Sequence, residues 1–393
     1  MTMIELPNYV LKILDTLKKA GHRGCAVGGC VRDALMGNVP SDYDIATDAP
    51  PERVRSLFAQ TIPTGERFGT ITVLIDKKSV EVTTFRTESG YDDNRRPAMV
   101  AYGASLKDDL ARRDFTINAI AYSPDEGVID PYGGREDILL RTVRCVGEPD
   151  KRFTEDALRI LRGIRFCASL GFEAESETML AMIGNARLLK NISAERIRDE
   201  ISRIVMTEHP EELNIVLMAG GLSHLMLGAS QDLARISRLP QIFEERMAAF
   251  LLLCAGDVLT SAQLLRLSKR EQRFMETVAD LVNKQLIADT IHIKRMLALH
   301  EIDELLSAVR VKGALYDEEN TLDCVEEIRR IQNSGEPFRV AHLALNGTDI
   351  QALNIVPPQK TGQVLNFLLN CCIGSPQLND KQTLLALAKS YSE

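Results

Sequence analysis

Two rhythms of apolar residues divide the chain. Up to about residue 145 they switch repeatedly between helical spacing and the two-residue alternation of strands. Val10, Ile13, Leu14 and Leu17 share one face of an expected opening helix. A short strand is predicted near "CAV", then the Gly28-Gly29 pair, then a helix from about Cys30 to Met36. "SDYDIAT" alternates as a strand, and "APPERVRSLFAQ" reads as a helix with Pro51 in its first turn. "GTITVLIDKKSVEVTTFR" predicts a β-hairpin around a polar turn at Asp76 to Ser79. Residues 88–107 show no clear period and are expected to form a long loop, a kind of segment that is functional or mobile in most compact domains. "RRDFTINAIAY" is expected to start a helix, and "GVIDPYGGREDILLRTVRCV" to form a turn-rich strand pair.

From about residue 150 helical periodicity takes over. "TEDALRILRGIRFCASLGF" predicts one amphipathic helix, with Thr154 as N-cap and Gly171 as its stop. "SAERIRDEISRIV" predicts another, capped by Ser193. The expected architecture is an α/β head, a small mixed sheet with helices, followed by an all-α remainder.

Composition changes this picture little. The chain has 393 residues, 45% hydrophobic and 26% charged, and should form more than one domain. Its net charge of -8 argues weakly against a nucleic-acid partner, because a local basic groove can sit on an acidic protein. The eight cysteines form no CxxC and no zinc-type cluster, so reduced and mostly buried thiols are expected. The longest apolar run, Met247 to Gly256, is about half of what a membrane span needs. A soluble, cytoplasmic protein without membrane contacts is expected.

The candidate chemistry is concentrated in the head. On a strand, Asp42 and Asp44 would project to one face, with Tyr43 and Ile45 turned to the core. Two carboxylates held side by side suit a hard divalent cation, most simply Mg²⁺. A lone DxD is more often a solvated polar turn. Glu81 in "SVEVTTF" adds a third acid on the polar side of a strand, where an exposed edge is nearly as good an account. Gly28-Gly29 before a helix lets backbone approach a phosphate, with Arg32 one turn on. Glycine pair, arginine and DxD in that order are more specific than any one part.

This constellation resembles the polymerase-β-like nucleotidyltransferases: a Gly-Gly turn, an acid-x-acid strand at Asp42 and Asp44, and a third acid, Glu81, between hydrophobic residues. "GGCVRDALMG", "SDYDIAT", "RRDFTINAIA", "DPYGGREDI" and "FTEDALRILRGIRF" are further similar to the class II tRNA nucleotidyltransferases, the CCA-adding enzymes and their poly(A) polymerase relatives. The resemblance covers residues from about 20 to 205.

It implies a catalytic head at 1–146, a nucleotide-selecting neck at 147–207, and a tRNA-binding body at 208–335 and tail at 336–393. Asp42 and Asp44 would hold Mg²⁺, with Glu81 the third catalytic acid. Gly28, Gly29, Arg32, Arg113, Asp114, Arg162 and Arg165 would bind the nucleotide. Asp156 and Arg159, expected at i,i+3 on one helix, would read the base. Cytosine and adenine each present an amino donor beside a ring-nitrogen acceptor, which a carboxylate and a guanidinium complement. Guanine and uracil would oppose donor to donor, a mismatch worth potentially ~10⁴-fold. The plain alternative for that helix is a solvated face with a Glu155–Arg159 ion pair, worth only about 0.3–0.5 kcal/mol. Glu195 and Arg196 are expected to be structural.

The implied reaction is addition of C-C-A to the tRNA 3′ end from CTP and ATP. An A-adding specialist, a poly(A) polymerase and a catalytically silent RNA-binding protein are the alternatives. The long segment at 88–107 is implied to take part in switching from C to A. No His-Asp pair appears, so the HD phosphohydrolase domain of some relatives is not expected. Lys269, Arg270, Arg273, Lys294 and Arg295 are candidate RNA contacts, and a homodimer is compatible with the sequence.

Overall fold

The computed structural model describes residues 4–92 and 96–391, which form two compact units, the first running to Gln231 and the second starting at Asp232. The first opens with α1 (Asn8–Lys19), whose buried residues are Val10, Ile13, Leu14 and Leu17, the predicted face. β1 (Gly24–Val27) leads through the glycine pair to α2 (Gly29–Leu35), then β2 (Asp44–Thr47) and α3 (Pro51–Leu57). β3 (Thr61–Gly65) pairs with β4 (Thr70–Ile75), which turns tightly into β5 (Lys78–Thr84). Asp76 and Lys77 both have positive φ, as the favoured two-residue hairpin turn requires, so the turn is shorter than expected.

The segment expected as a loop is largely paired. β6 (Arg86–Asp92) and β7 (Arg96–Tyr102) form an antiparallel ribbon of their own. Residues 93–95, which fall between the two strands in sequence, lie outside the described residues. Backbone pairing alone defines such a ribbon, so it need not show the alternation of a half-buried strand. Ser105 then caps α4 (Leu106–Ala111) in a reciprocal box with Asp108.

"RRDFTINAIAY" does not start a helix. It makes a tight 3-10 turn at Thr116–Asn118 and enters β8 (Ala121–Ser123). β9 (Gly127–Ile129) follows, and then, instead of a direct strand pair, α5 (Gly134–Leu139) before β10 (Thr142–Val143). The Asp130 carboxylate accepts from the N–H groups of Gly134 and Arg135, which fixes that helix start. The main sheet has the order β3-β4-β5-β2-β1-β8-β9, with β2 and β5 parallel. One core cluster joins α1 and α3 to Ile45, Ile71 and Val82; a second joins Val27, Ala46 and Ala121 to Leu106 and Leu110.

The helix predicted from Thr154 is broken in two. α6 (Pro149–Glu155) ends at Asp156, whose extended backbone (φ −143°, ψ 102°) separates it from α7 (Leu158–Leu170). Thr154 is therefore inside a helix, its hydroxyl bonded back to the carbonyls of Asp150 and Lys151, and caps nothing. Gly171 does end α7, in the left-handed conformation. After β11 (Glu173–Ala174), paired with β10, come α8 (Ser176–Asn185) and α9 (Ala194–Val205). Ser193 precedes α9 without a side-chain capping bond. A Cβ at Gly163 would overlap Met182 and Phe115, so α7 approaches both closely through that glycine. α10 (Asn214–Met218) closes the first unit.

The second unit contains α11 (Phe243–Cys254), α12 (Val258–Leu264), α13 (Lys269–Val282), α14 (Thr290–Leu299), α15 (Ile302–Tyr316) and α16 (Thr321–Ser334). A terminal cluster around Ile350, Val364, Leu368 and Leu384 holds the last helices together. Among the described residues, no helix is long and apolar enough to cross a membrane. All eight cysteines are free, and seven of them are buried.

Candidate active site

The carboxylates are held at the end of the parallel pair β2–β5. The paired strand begins at Asp44, so Asp42 sits just before it, yet the alternation persists: Tyr43 and Ile45 are buried, Asp42 and Asp44 exposed. Asp44 stands directly opposite Glu81, whose neighbours Val80 and Val82 are buried. The Asp44 carboxyl is raised above its ordinary pKa, first by partial burial and then by the charge of Glu81, with a smaller push from Asp42; Arg113 opposes them. Burial also pushes the nearby Cys30 thiol up to about 11, which keeps it neutral. Among the described residues, no three acidic, His or Cys side chains converge as a ready metal cage. Two acids crowded in this way fit a hard divalent ion that completes its shell with phosphate oxygens and water.

Arg113 lies between the glycine turn and the acids. Gly28 has φ +77°, and a Cβ there would come within 2.7 Å of Arg113 Nη1. Glycine is thus required both for the turn and for the space the guanidinium occupies. Arg113 Nε is buried without a hydrogen-bond partner among the described residues. Burial lowers the Arg113 pKa, an effect that Asp109 counteracts.

A chain of polar contacts connects α2 to α7. Arg32 pairs with Asp33 (2.7 Å) and donates from Nη1 to Asn118 Oδ1 (2.7 Å). Asn118 Nδ2 donates to Asp114 Oδ1 (3.2 Å), and Asp114 Oδ2 accepts from Arg162 Nε and Nη2 at 2.8 and 2.6 Å. Burial alone would raise the Asp114 pKa, but Arg162, Asn118 and the Phe115 N–H together hold it well below the carboxylate range. Phe166 underlies this group, with the guanidiniums of Arg32, Arg162 and Arg165 at 5.4, 5.7 and 4.3 Å from its ring centre. Arg165 itself is tied to buried Glu200 (2.7 Å), so it anchors α7 to α9.

Asp156 and Arg159 are not neighbours on one helix face. Asp156 occupies the break between α6 and α7, accepts from the Leu158 N–H, and pairs with Arg196 (3.0 Å). Arg159 is 8% exposed and bonds Glu155 (2.8 Å) and the carbonyls of Arg152 and Arg112. The Glu155–Arg159 ion pair exists, but buried and linked to Arg152 (2.6 Å), unlike the solvated pair of a free helix face. Glu195 is exposed, whereas Arg196 orients Asp156.

Three neck arginines converge on three consecutive residues. Arg159 donates to the Arg112 carbonyl, Arg152 to that of Arg113, and Arg162 to the Asp114 carboxylate. Sequence reasoning passed over Arg152, Asn118 and Phe166. The "RRDFTIN" stretch held the signal for Asn118: an amide four residues after an acid, close to a tight turn.

In the second unit, Lys269, Arg270, Arg273 and Arg295 are exposed, but Lys294 is fully buried and paired with Glu336 (2.7 Å). Its ammonium is spent on packing, so it is unavailable as an RNA contact.

Comparison with known proteins finds relatives of this sequence and fold. The family described as "Poly A polymerase head domain" matches residues 25–144, and "Probable RNA and SrmB- binding site of polymerase A" matches residues 171–227. The CCA-adding enzyme of Lactiplantibacillus plantarum is 34% identical over 100% of this chain and 99% of its own. That of Bacillus pumilus is 46% identical over 58% of each chain. The crystal structure of the Bacillus stearothermophilus CCA-adding enzyme in complex with CTP covers 98% of this chain and 96% of its own, at 30% identity and a TM-score of 0.84. With a relative 34% identical along the whole chain, the chain belongs to the family of CCA-adding tRNA nucleotidyltransferases.

Proposed function

We propose that this chain adds C-C-A to the 3′ end of tRNA from CTP and ATP, without a template and with release of pyrophosphate. The observation that carries the reading furthest is the convergence of Arg152, Arg159 and Arg162 on residues 112–114. It ties α6, α7 and the Asp156 break between them to the segment that places Arg113 beside Asp44.

Asp42 and Asp44 are the residues that would hold Mg²⁺, with Glu81 the facing third acid. When bound, the ion supplies positive charge for the attacking 3′-hydroxyl and for the α-phosphate. Gly28 and Gly29 let the backbone turn approach the triphosphate, and Gly28 also makes room for the Arg113 guanidinium. Arg32 and Arg113 face it from the head, and Asp114 and Arg162 from the boundary with the neck. Arg165 supports this wall from behind through Glu200 and Phe166. The Asp156 carboxylate accepts from the amino group of cytosine or adenine, and the Arg159 guanidinium donates to the adjacent ring nitrogen. Arg196 and Glu155 orient these two groups from outside the base.

The assignment of residues 1–146 to catalysis, 147–207 to base selection, and 208–335 and 336–393 to gripping the tRNA acceptor end and elbow belongs to the same reading. So does work in the cytoplasm, where the substrates are found. The β6–β7 ribbon is the segment proposed to take part in the change from C to A.

The test uses purified protein, Mg²⁺ and a tRNA transcript ending at the discriminator base, with product length read at single-nucleotide resolution. Two additions with CTP, and a third only with ATP, are expected. A long A ladder from ATP alone would make it a poly(A) polymerase. A single A added only to a transcript ending in CC would make it an A-adding specialist.

A further inference from the structure

Asn118 lies at the middle of the polar chain Asp33–Arg32–Asn118–Asp114–Arg162. It is 6% exposed and sits in the tight turn after "RRDF". Its two side-chain atoms face opposite charges: Oδ1 accepts from a guanidinium, and Nδ2 donates to a carboxylate. A carboxamide carries an acceptor and a donor on one rigid plane and so matches both. An aspartate of the same shape would set a second negative charge against Asp114. A hydrophobic side chain would leave Arg32 and Asp114 each short of a partner.

The backbone of the same residue adds to this frame. The Asn118 carbonyl is 3.5 Å from Arg113 Nη1 and borders the space that Gly28 leaves open. One residue thus touches three charged side chains: Arg32 on α2, and Arg113 and Asp114 just before the turn, the latter holding Arg162 of α7. Arg32 and Arg162 also share the Phe166 ring. The amide and the Asp114 carboxylate thus link the two guanidiniums through one run of hydrogen bonds.

We infer that Asn118 is a positioning residue that couples Arg32 to Arg162, so that the two arginines grip one triphosphate as a unit. It acts through those arginines, without contact to the nucleotide. The inference rests on the reading of this site as a triphosphate-binding site. Its consequence is a division of labour: Asn118 governs affinity for the phosphates, and the Asp156–Arg159 pair governs choice of base.

The test compares full-length wild type with Asn118→Ala and Asn118→Asp. In Asn118→Ala, KM for CTP and for ATP is expected to rise together by about ten-fold, as for loss of one hydrogen bond to a charged group, with kcat little changed. Inhibition by inorganic tripolyphosphate should weaken by the same factor, and the preference for C and A over G and U should be unchanged. Asn118→Asp should be weaker still. Combined Arg32→Ala and Arg162→Ala substitutions should be non-additive in wild type and additive in the Asn118→Ala background. Should Asn118→Ala fail to fold, Asn118→Ser serves in its place. A fall in kcat at constant KM, a change in base preference, or an unchanged double-substitution coupling would overturn the inference. Absence of nucleotide transfer by wild type would overturn the reading of the site, and the role of Asn118 with it. A fully active wild type with indifferent Asn118 variants would remove only the latter.

Discussion

The two units use buried cations in opposite ways. In the second, Arg246 is 2% exposed and donates to the carbonyls of Ser237, Leu239 and Pro240, while Lys294 pairs with Glu336. Each is matched by acceptors fixed in its own surroundings, and each closes a helical junction. In the first unit, Arg113 keeps one buried donor unmatched, Asp109 keeps one buried oxygen unmatched, and Asp44 faces Glu81 with a raised pKa. Buried charge with its partners complete is architecture. Buried Glu245 in the second unit also keeps one oxygen unmatched, so an open polar atom points to a ligand only where further charges crowd the same place, as around Asp44.

Substitutions at the incomplete site should therefore cost activity more than stability. The largest effect is expected for Asp44→Asn, which should slow transfer on the order of 10²–10³-fold or more. The same change should raise the melting temperature at neutral pH. A carboxyl whose folded pKa is raised stabilises the fold below its unfolded pKa and loses that contribution as pH rises through the folded value. Apo wild type should accordingly gain stability relative to Asp44→Asn as pH falls through the titration of Asp44. Mg²⁺ should narrow the difference at neutral pH. A lower melting temperature for Asp44→Asn would remove the contrast.

Next comes Arg159→Ala, expected to reduce discrimination against UTP and GTP by about 10²-fold or more, measured as ratios of kcat/KM. In the second unit the order reverses. Glu336→Gln leaves buried Lys294 uncompensated and should lower stability by about 3 kcal/mol in denaturant melts, whereas Lys294→Met should be near neutral. Neither should alter KM for CTP or ATP. The smallest effect is expected for Thr154→Ala, within about 0.5 kcal/mol, because it is an exposed helix residue whose hydroxyl bonds back to the carbonyls of Asp150 and Lys151. Ser268→Ala, at a true capping box on α13, should cost about 1 kcal/mol.

The sequence made much of this legible, and the particular misses have physical causes. α1, the glycine turn, the β4–β5 hairpin and the stop at Gly171 follow from local signals that tertiary contacts do not override. The alternation of Tyr43 and Ile45 with the aspartates held although the ladder begins only at Asp44. The β6–β7 ribbon was hidden because it pairs with itself. The helix through Thr154 was a fair reading of periodicity, and the break at Asp156 combines a local bond from the Leu158 N–H with a partner far along the chain, Arg196. The candidate site residues of head and neck were recognisable by type and order. Their partners were not, because Asn118, Arg152 and Arg196 act across separations of 86, 39 and 40 residues. For Lys294, a cation on a helix gave no sign of being inside, since Glu336 reaches it from a distant segment.

The break at Asp156 bears on how such an enzyme can change its diet. A residue within a continuous helix is constrained by helical propensity and by the neighbours one turn away, so replacing it disturbs the rod as well as the reading. Asp156 stands where no rod runs, in an extended conformation open to most side chains. Its direction is set by Arg196 from a separate helix. With Asp156 reading the base as proposed, new preferences can be explored at this joint while α6 and α7 on either side keep their shape.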